Sequence, residues 1–152
     1  MKNGKYAVGV VGAGGIGQYH IEGWKKIPDV VIYGIADSSK ETLDKVKLKY
    51  DISFATTDYK KLIGIEEIDI IDICTPNAFH YPVAIAALKN KKHVICEKPL
   101  ATNSAHIEKM IQAARENKRK LMAAQNQRFT LAGQATKRVI DNGFLGEIYF
   151  AQ

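Results

Sequence analysis

The stretch Val8-Gly9-Val10-Val11-Gly12-Ala13-Gly14-Gly15-Ile16-Gly17 leaves this chain few possible folds. An apolar run rich in valine reads as a buried strand, and the glycines that follow turn it sharply into a helix. Gly12, Gly14 and Gly17 fall in the order G-x-G-x-x-G. The first lets the chain turn out of the strand, the second leaves room for a pyrophosphate against the backbone, and the third lets the helix pack closely on the strand. The helix, with Gly15 and Ile16 in its first turn, presents unpaired N–H groups and the positive end of its dipole to phosphates. Asp37 ends the next apolar run, where a carboxylate can accept hydrogen bonds from ribose hydroxyls. A glycine triplet by itself also occurs in plain turns, and Asp37 by itself could simply start one. The preceding strand and the following carboxylate together predict a dinucleotide site.

The remaining pattern agrees with that start. Apolar strand-like runs at Tyr6–Val11, Val30–Ala36, Ile52–Ala55, Ile68–Cys74, His93–Glu97 and Leu121–Gln125 alternate with helical segments. Those segments are expected at Gly15–Ile27, Lys40–Tyr50, a short helix capped by Asp58 and fading near Gly64, from Asn77 to about Lys89, from Thr102 or Asn103 to about Asn117, and at Leu131–Asp141. Continuously apolar strands separated by helices predict a parallel sheet covered on both faces, an α/β doubly wound fold. A further strand, Ile148–Ala151, has no strand after it to pair with. The expected division is therefore a nucleotide-binding domain over residues 1–145 and the first strand of a second, otherwise absent α/β domain over residues 146–152.

The net charge of +6 requires that nucleic acid be considered. The lysine and arginine clusters fall near predicted helix C-termini, where they complement the dipole, and no aromatic residues interleave them. No nucleic-acid partner is expected. No run approaches the roughly 18 apolar residues of a membrane span, and glycines interrupt the only stretch resembling a leader. A cytoplasmic protein without membrane association is expected. Cys74 and Cys96 each end an apolar run and read as buried thiols rather than a disulfide or metal pair. His20 and His80 read as packing or hydrogen-bonding residues, so no metal is expected.

Several motifs, in order and with their spacing, resemble the N-terminal domain of the glucose–fructose oxidoreductase and inositol dehydrogenase family. They are Gly12–Gly17 with His20, Asp37, Cys74-Thr75-Pro76-Asn77 with His80, His93 to Ala101 with Glu97-Lys98-Pro99 at its centre, Asn126-Gln127-Arg128-Phe129, and Gly143 to Ile148. The resemblance covers essentially the whole chain. It implies a Rossmann-type domain and an NAD-dependent oxidoreductase acting on a sugar, cyclitol or related polyol, usually as a homo-oligomer. Family members are typically more than twice as long, and their second half lines the substrate site.

The resemblance also distributes roles. Thr75, Pro76 and Asn77 would lie against the cofactor, Asn77 also being placed to cap the next helix. Lys98 would take or give the hydroxyl proton, with Glu97 near the nicotinamide ribose. A lysine held beside a cation in a dry site parts with its proton more readily. Taken alone, a single lysine is usually a solvated surface residue. Arg128 could face the nicotinamide or the substrate. The family's turn after Phe129 usually carries a proline, whereas Thr130-Leu131 follow here. Its remaining proton-transfer pair, an Asp and a His on one helix, has no counterpart among these residues. Asp37 would favour NAD over NADP, since a 2′-phosphate would meet an anion; Lys40 nearby could soften that preference. A binding module without catalysis, completed by a partner chain, is the alternative.

Overall fold

A computed structural model describes residues 4–150. Six parallel strands form one sheet in the order β3-β2-β1-β4-β5-β6. They are β1 (Tyr6–Val11), β2 (Val30–Ala36), β3 (Phe54–Thr56), β4 (Ile70–Ile73), β5 (His93–Cys96) and β6 (Leu121–Ala123). Helices α1 (Gly15–Trp24), α2 (Lys40–Tyr50), α3 (Tyr59–Ile63), α4 (His80–Lys89), α5 (Ser104–Glu116) and α6 (Leu131–Asp141) connect or follow them. This is the doubly wound Rossmann-type fold, in which the order of strands reverses between β1 and β4.

Each face of the sheet has its own core. On one, Val8 and Val10 of β1 and Ile35 of β2 pack with Ile21 of α1 and Leu43 and Val46 of α2. On the other, Ile71 and Ile73 of β4 pack with Leu62, Val83, Leu88 and Met110 of the next three helices. Each such fully buried aliphatic side chain stabilises the fold by about 1.5–3 kcal/mol. Because successive strand residues point to opposite faces, Asp72, between Ile71 and Ile73, is directed at the α1 side.

The helix ends follow local chemistry. Ser39 Oγ accepts from Thr42 N–H at 3.1 Å to cap α2, and Asn103 Oδ1 accepts from His106 N–H at 2.8 Å to cap α5. Lys47 and Lys49, Lys60 and Lys61, Lys89 and Arg115 occupy last turns, as the charge clusters predict. Lys92 departs from that pattern. Its ammonium is buried and donates to the carbonyls of Ile65 (2.6 Å), Glu66 (3.1 Å) and Ile68 (2.7 Å), pinning the loop before β4.

Other departures from the expected elements have physical reasons. The strands β1 and β2 match their apolar runs, β4, β5 and β6 are shorter than theirs, and β3 is displaced toward Thr56, since a strand extends only where a neighbour pairs with it. The helix expected from Asn77 begins only at His80; a 3-10 turn, Asn77–Phe79, precedes it, and no side chain caps either. Ile148–Phe150 form no strand, having no neighbouring strand to bond, and their side chains are exposed. Ala151, the end of that expected strand, lies outside the described residues.

Candidate functional site

At the carboxyl ends of β1 and β4, where the strand order reverses, a cleft of about 580 Å³ opens. Open α/β sheets take ligands at this position. Gly12, Gly14, Gly15, Ile16, Asp37, Thr75 and Pro76 all line it. Gly17 and Asn77 do not.

The glycine turn has the geometry its spacing requires. Gly12 has a φ of +95°, and a Cβ there would stand 2.6 Å from the Cys74 carbonyl carbon. A Cβ at Gly17 would meet the Gly12 carbonyl oxygen at 1.9 Å, so this glycine serves close packing of α1 on the turn. A Cβ at Gly14 would meet nothing within 4 Å; that side of the backbone faces open cleft. No side chain caps α1, whereas α2, α3, α5 and α6 are all capped. The first-turn N–H groups of α1 are thus offered to the cleft, with the positive end of the dipole behind them.

Asp37 is held rigidly at the rim. Its Oδ2 accepts from Ala13 N–H at 2.7 Å and its Oδ1 from Ser39 N–H at 2.9 Å. A carboxylate offers about four acceptor sites, so two bonds leave capacity for hydroxyl groups in the cleft. On another loop lining the cleft, the Thr75 hydroxyl is buried without a hydrogen-bond partner. Buried polar atoms are nearly always satisfied, so this orphan marks a contact the chain itself does not supply. The loop carrying it is clamped by His80, fully buried, whose ring nitrogens lie 2.8 Å from the carbonyl oxygens of Thr75 and Pro99. Open space at Gly14, uncapped N–H groups, an anchored carboxylate and an unpartnered hydroxyl fit a dinucleotide.

A second cleft, of about 680 Å³, shares Ile16 with the first and is lined by His20, Glu97, Lys98 and Gln125. Glu97 and Lys98 leave the end of β5, and the Lys98–Pro99 peptide bond is cis. The loops thus bring Lys98 beside the first cleft although the glycine turn lies far away in sequence. Arg128, on the exposed 3-10 turn Asn126–Phe129, lines neither cleft.

Beneath the second cleft lies a polar network that sequence reasoning missed. Asp72 is fully buried. Its Oδ2 accepts from Trp24 Nε1–H at 2.6 Å and lies 2.9 Å from His20 Nδ1, and His20 Nε2 lies 3.0 Å from Glu97 Oε1. The Asp72 hydrogen bond raises His20 above its ordinary 6.5 against the opposing loss of solvation, and Glu97 adds to the rise. A carboxylate inside an otherwise isoleucine strand was the available signal, since a buried charge demands a partner. His20, Asp72 and Cys74 place one donor atom each within 4.8 Å of one another. Burial and the adjacent Asp72 push the Cys74 thiol well up, which opposes the thiolate a metal needs. Burial also pushes the Cys96 thiol up, to about 12. Among the described residues, no helix is long and apolar enough to cross a membrane.

Fold and site together define a nucleotide-binding α/β domain. Residues 6–125 match the family described as an oxidoreductase family with an NAD-binding Rossmann fold, and the chain belongs to that family. It is 34% identical over 140 residues to myo-inositol 2-dehydrogenase of Thermotoga maritima, an alignment covering 92% of this chain and 42% of that protein. It is 32% identical over 149 residues to levoglucosan dehydrogenase of Pseudarthrobacter phenanthrenivorans, covering 93% of this chain and 38% of that one. Among solved structures, levoglucosan dehydrogenase in complex with NADH and levoglucosan superposes with a TM-score of 0.87 at 31% identity, over 95% of this chain and 41% of that one. Scyllo-inositol dehydrogenase of Lactobacillus casei with bound NAD(H) and scyllo-inositol gives 0.88 at 25% identity, over 95% and 43%. The chain spans about two fifths of the length of these relatives.

Proposed function

We propose that this chain is the NAD-binding part of a dehydrogenase acting on a sugar, cyclitol or related polyol. The observation that carries this reading is the cleft where the glycine turn, an anchored Asp37 and the loop of Thr75, whose buried hydroxyl has no partner, come together. NAD, when bound, supplies the acceptor for the hydride of a CH–OH group. The uncapped N–H groups at Gly14, Gly15 and Ile16 bind its pyrophosphate, with Gly17 letting α1 pack closely behind them, and Asp37 accepts from the adenosine ribose hydroxyls, which favours NAD over NADP. Thr75 and Pro76 line the middle of its path, and Asn77 contacts the cofactor from the turn that follows them. Glu97 orients the nicotinamide ribose, Lys98 holds or moves the hydroxyl proton at Nζ, and Arg128 faces the nicotinamide or the substrate.

Catalysis requires a substrate wall that these residues do not form, so these 152 residues alone turn over negligibly. In this reading residues 1–145 are the nucleotide-binding domain and residues 146–152 begin the next. The whole protein acts in the cytoplasm as a homo-oligomer and binds neither nucleic acid nor membrane. A cofactor-binding module completed by a partner chain is a second reading, favoured by the exposed apolar face of α6. An open reading frame continuing past Gln152 supports the enzyme, and a stop codon there supports the module.

Calorimetric titration with NADH and NADPH tests the cofactor assignment. NADH should bind more tightly than NADPH, and Asp37→Ala should weaken NADH by about tenfold or more, as expected for lost hydrogen bonds to a charged group. Equal affinities, or an unchanged Asp37→Ala, would sink it.

A further inference from the structure

The network at His20 contains a choice of protonation that the geometry makes for it. Asp72 and Glu97 present carboxylate oxygens to both ring nitrogens, at 2.9 and 3.0 Å. Carboxylates only accept, so both nitrogens donate when both acids are ionised, and the ring is an imidazolium. Trp24 Nε1–H donates to the same Asp72 Oδ2 that faces the ring, and so holds that carboxylate in place. Glu97 Oε2 in turn accepts from the Lys98 backbone N–H at 3.0 Å, so the same carboxylate joins the ring to the turn that carries Lys98.

We propose that His20 is a positioning residue that works through one proton: as an imidazolium between Asp72 and Glu97 it fixes the Glu97 carboxylate at the second cleft, and cofactor affinity there depends on that proton. This rests on the NAD reading of the clefts given above. With the proton present the three groups carry a net charge of −1, and every donor has an acceptor. Without it, a nitrogen lone pair faces a carboxylate oxygen at one end. Asp72 is fully buried and held by Trp24, whereas the Glu97 side chain is 19% exposed. Glu97 is therefore the group that swings away, and the Lys98 N–H loses its acceptor with it.

The other charged and titratable groups around the ring do not provide an alternative proton. On its own helix Tyr19 stands edge-on at 6.5 Å between ring centres. From β4 comes Asp72, and from just past its end the Cys74 thiol, which lies 3.7 Å from Asp72 Oδ1. From the end of β5 come Glu97 and Lys98, and the rest of the second cleft has no charged side chain. The phenols of Tyr6 and Tyr33 are the only titratable groups on β1 and β2.

Histidine-detected NMR and NADH titrations of the same chain, from about pH 6 to about pH 9, test this. The His20 ring should stay protonated at both nitrogens above the ordinary histidine range, and saturating NADH should raise its midpoint further, by reciprocity of linkage. NADH affinity should hold below that midpoint and fall above it by up to about tenfold per pH unit. His20→Gln should bind NADH more weakly at low pH and with a flat profile. Should that variant not fold, Glu97→Gln at the cleft rim replaces it, with a lowered ring midpoint and the same flattening expected. A ring that titrates normally, or one unmoved by NADH, overturns the proposal; so does a variant that keeps the wild-type pH profile. No NADH binding at any pH, with the ring still protonated high, contradicts the cofactor reading itself and removes the link with it.

Discussion

Helices α5 and α6 make the most instructive pair in this molecule. Both have a side-chain cap, Asn103 and Thr130, both carry a basic residue in the last turn, and both are amphipathic. In α5, Met110, Ala113 and Ala114 are buried against α4 and the sheet. In α6, Leu131, Ala135 and Val139 repeat at helical spacing with Ile140 next to them, yet no residue is buried. From Leu121 to Phe150 no residue at all is buried. An apolar stripe is a local property, while burial requires another element to arrive. The two regions thus divide the chain into a part whose stability is internal and a part whose apolar face is still unmatched.

The sharpest way to break that contrast is in the packed half. Gly17→Val would drive its Cβ into the Gly12 carbonyl, and should cost about 3 kcal/mol or more in urea denaturation while abolishing NADH binding. Next, Ile71→Ala, with the side chain fully buried, should cost about 2–5 kcal/mol, whereas Ile140→Ala should change stability by less than about 0.5 kcal/mol. Equal effects would show that α6 is covered in solution. The caps extend the comparison. Ser39→Ala should lower global stability by about 1 kcal/mol, while Thr130→Ala should increase hydrogen exchange within α6 and leave the unfolding midpoint in place.

The smallest effect is that of pH. His20 is raised in the folded chain, so its stabilisation is complete below the ordinary value of 6.5. It is lost as pH rises through the higher folded value. Thermal melts should therefore show the midpoint falling over that interval, and His20→Gln should remove the fall. Residues 121–150 contain no histidine, so exchange in α6 should not follow the same profile.

Much of the fold and part of the candidate site were legible in the residues alone, for reasons that differ by position. Alternation of apolar strands with helices, the glycine spacing, Asp37 and the Glu97-Lys98-Pro99 turn are short-range signals, and each constrains its own few residues. They determined the parallel sheet, the crevice where its order reverses, and the glycine turn that floors it. Tertiary structure alone decided which distant groups meet: Asp72 with His20 and Trp24, His80 with Thr75 and Pro99, Lys92 with the carbonyls before β4. It also decided that Ile148–Phe150 would find no strand and that Asn77 would open a 3-10 turn instead of capping a helix. The physical reason is one of range. A turn or a helical stripe is dictated by neighbours in the chain, but a buried charge or an unpaired strand is resolved only by whichever part of the fold lies against it.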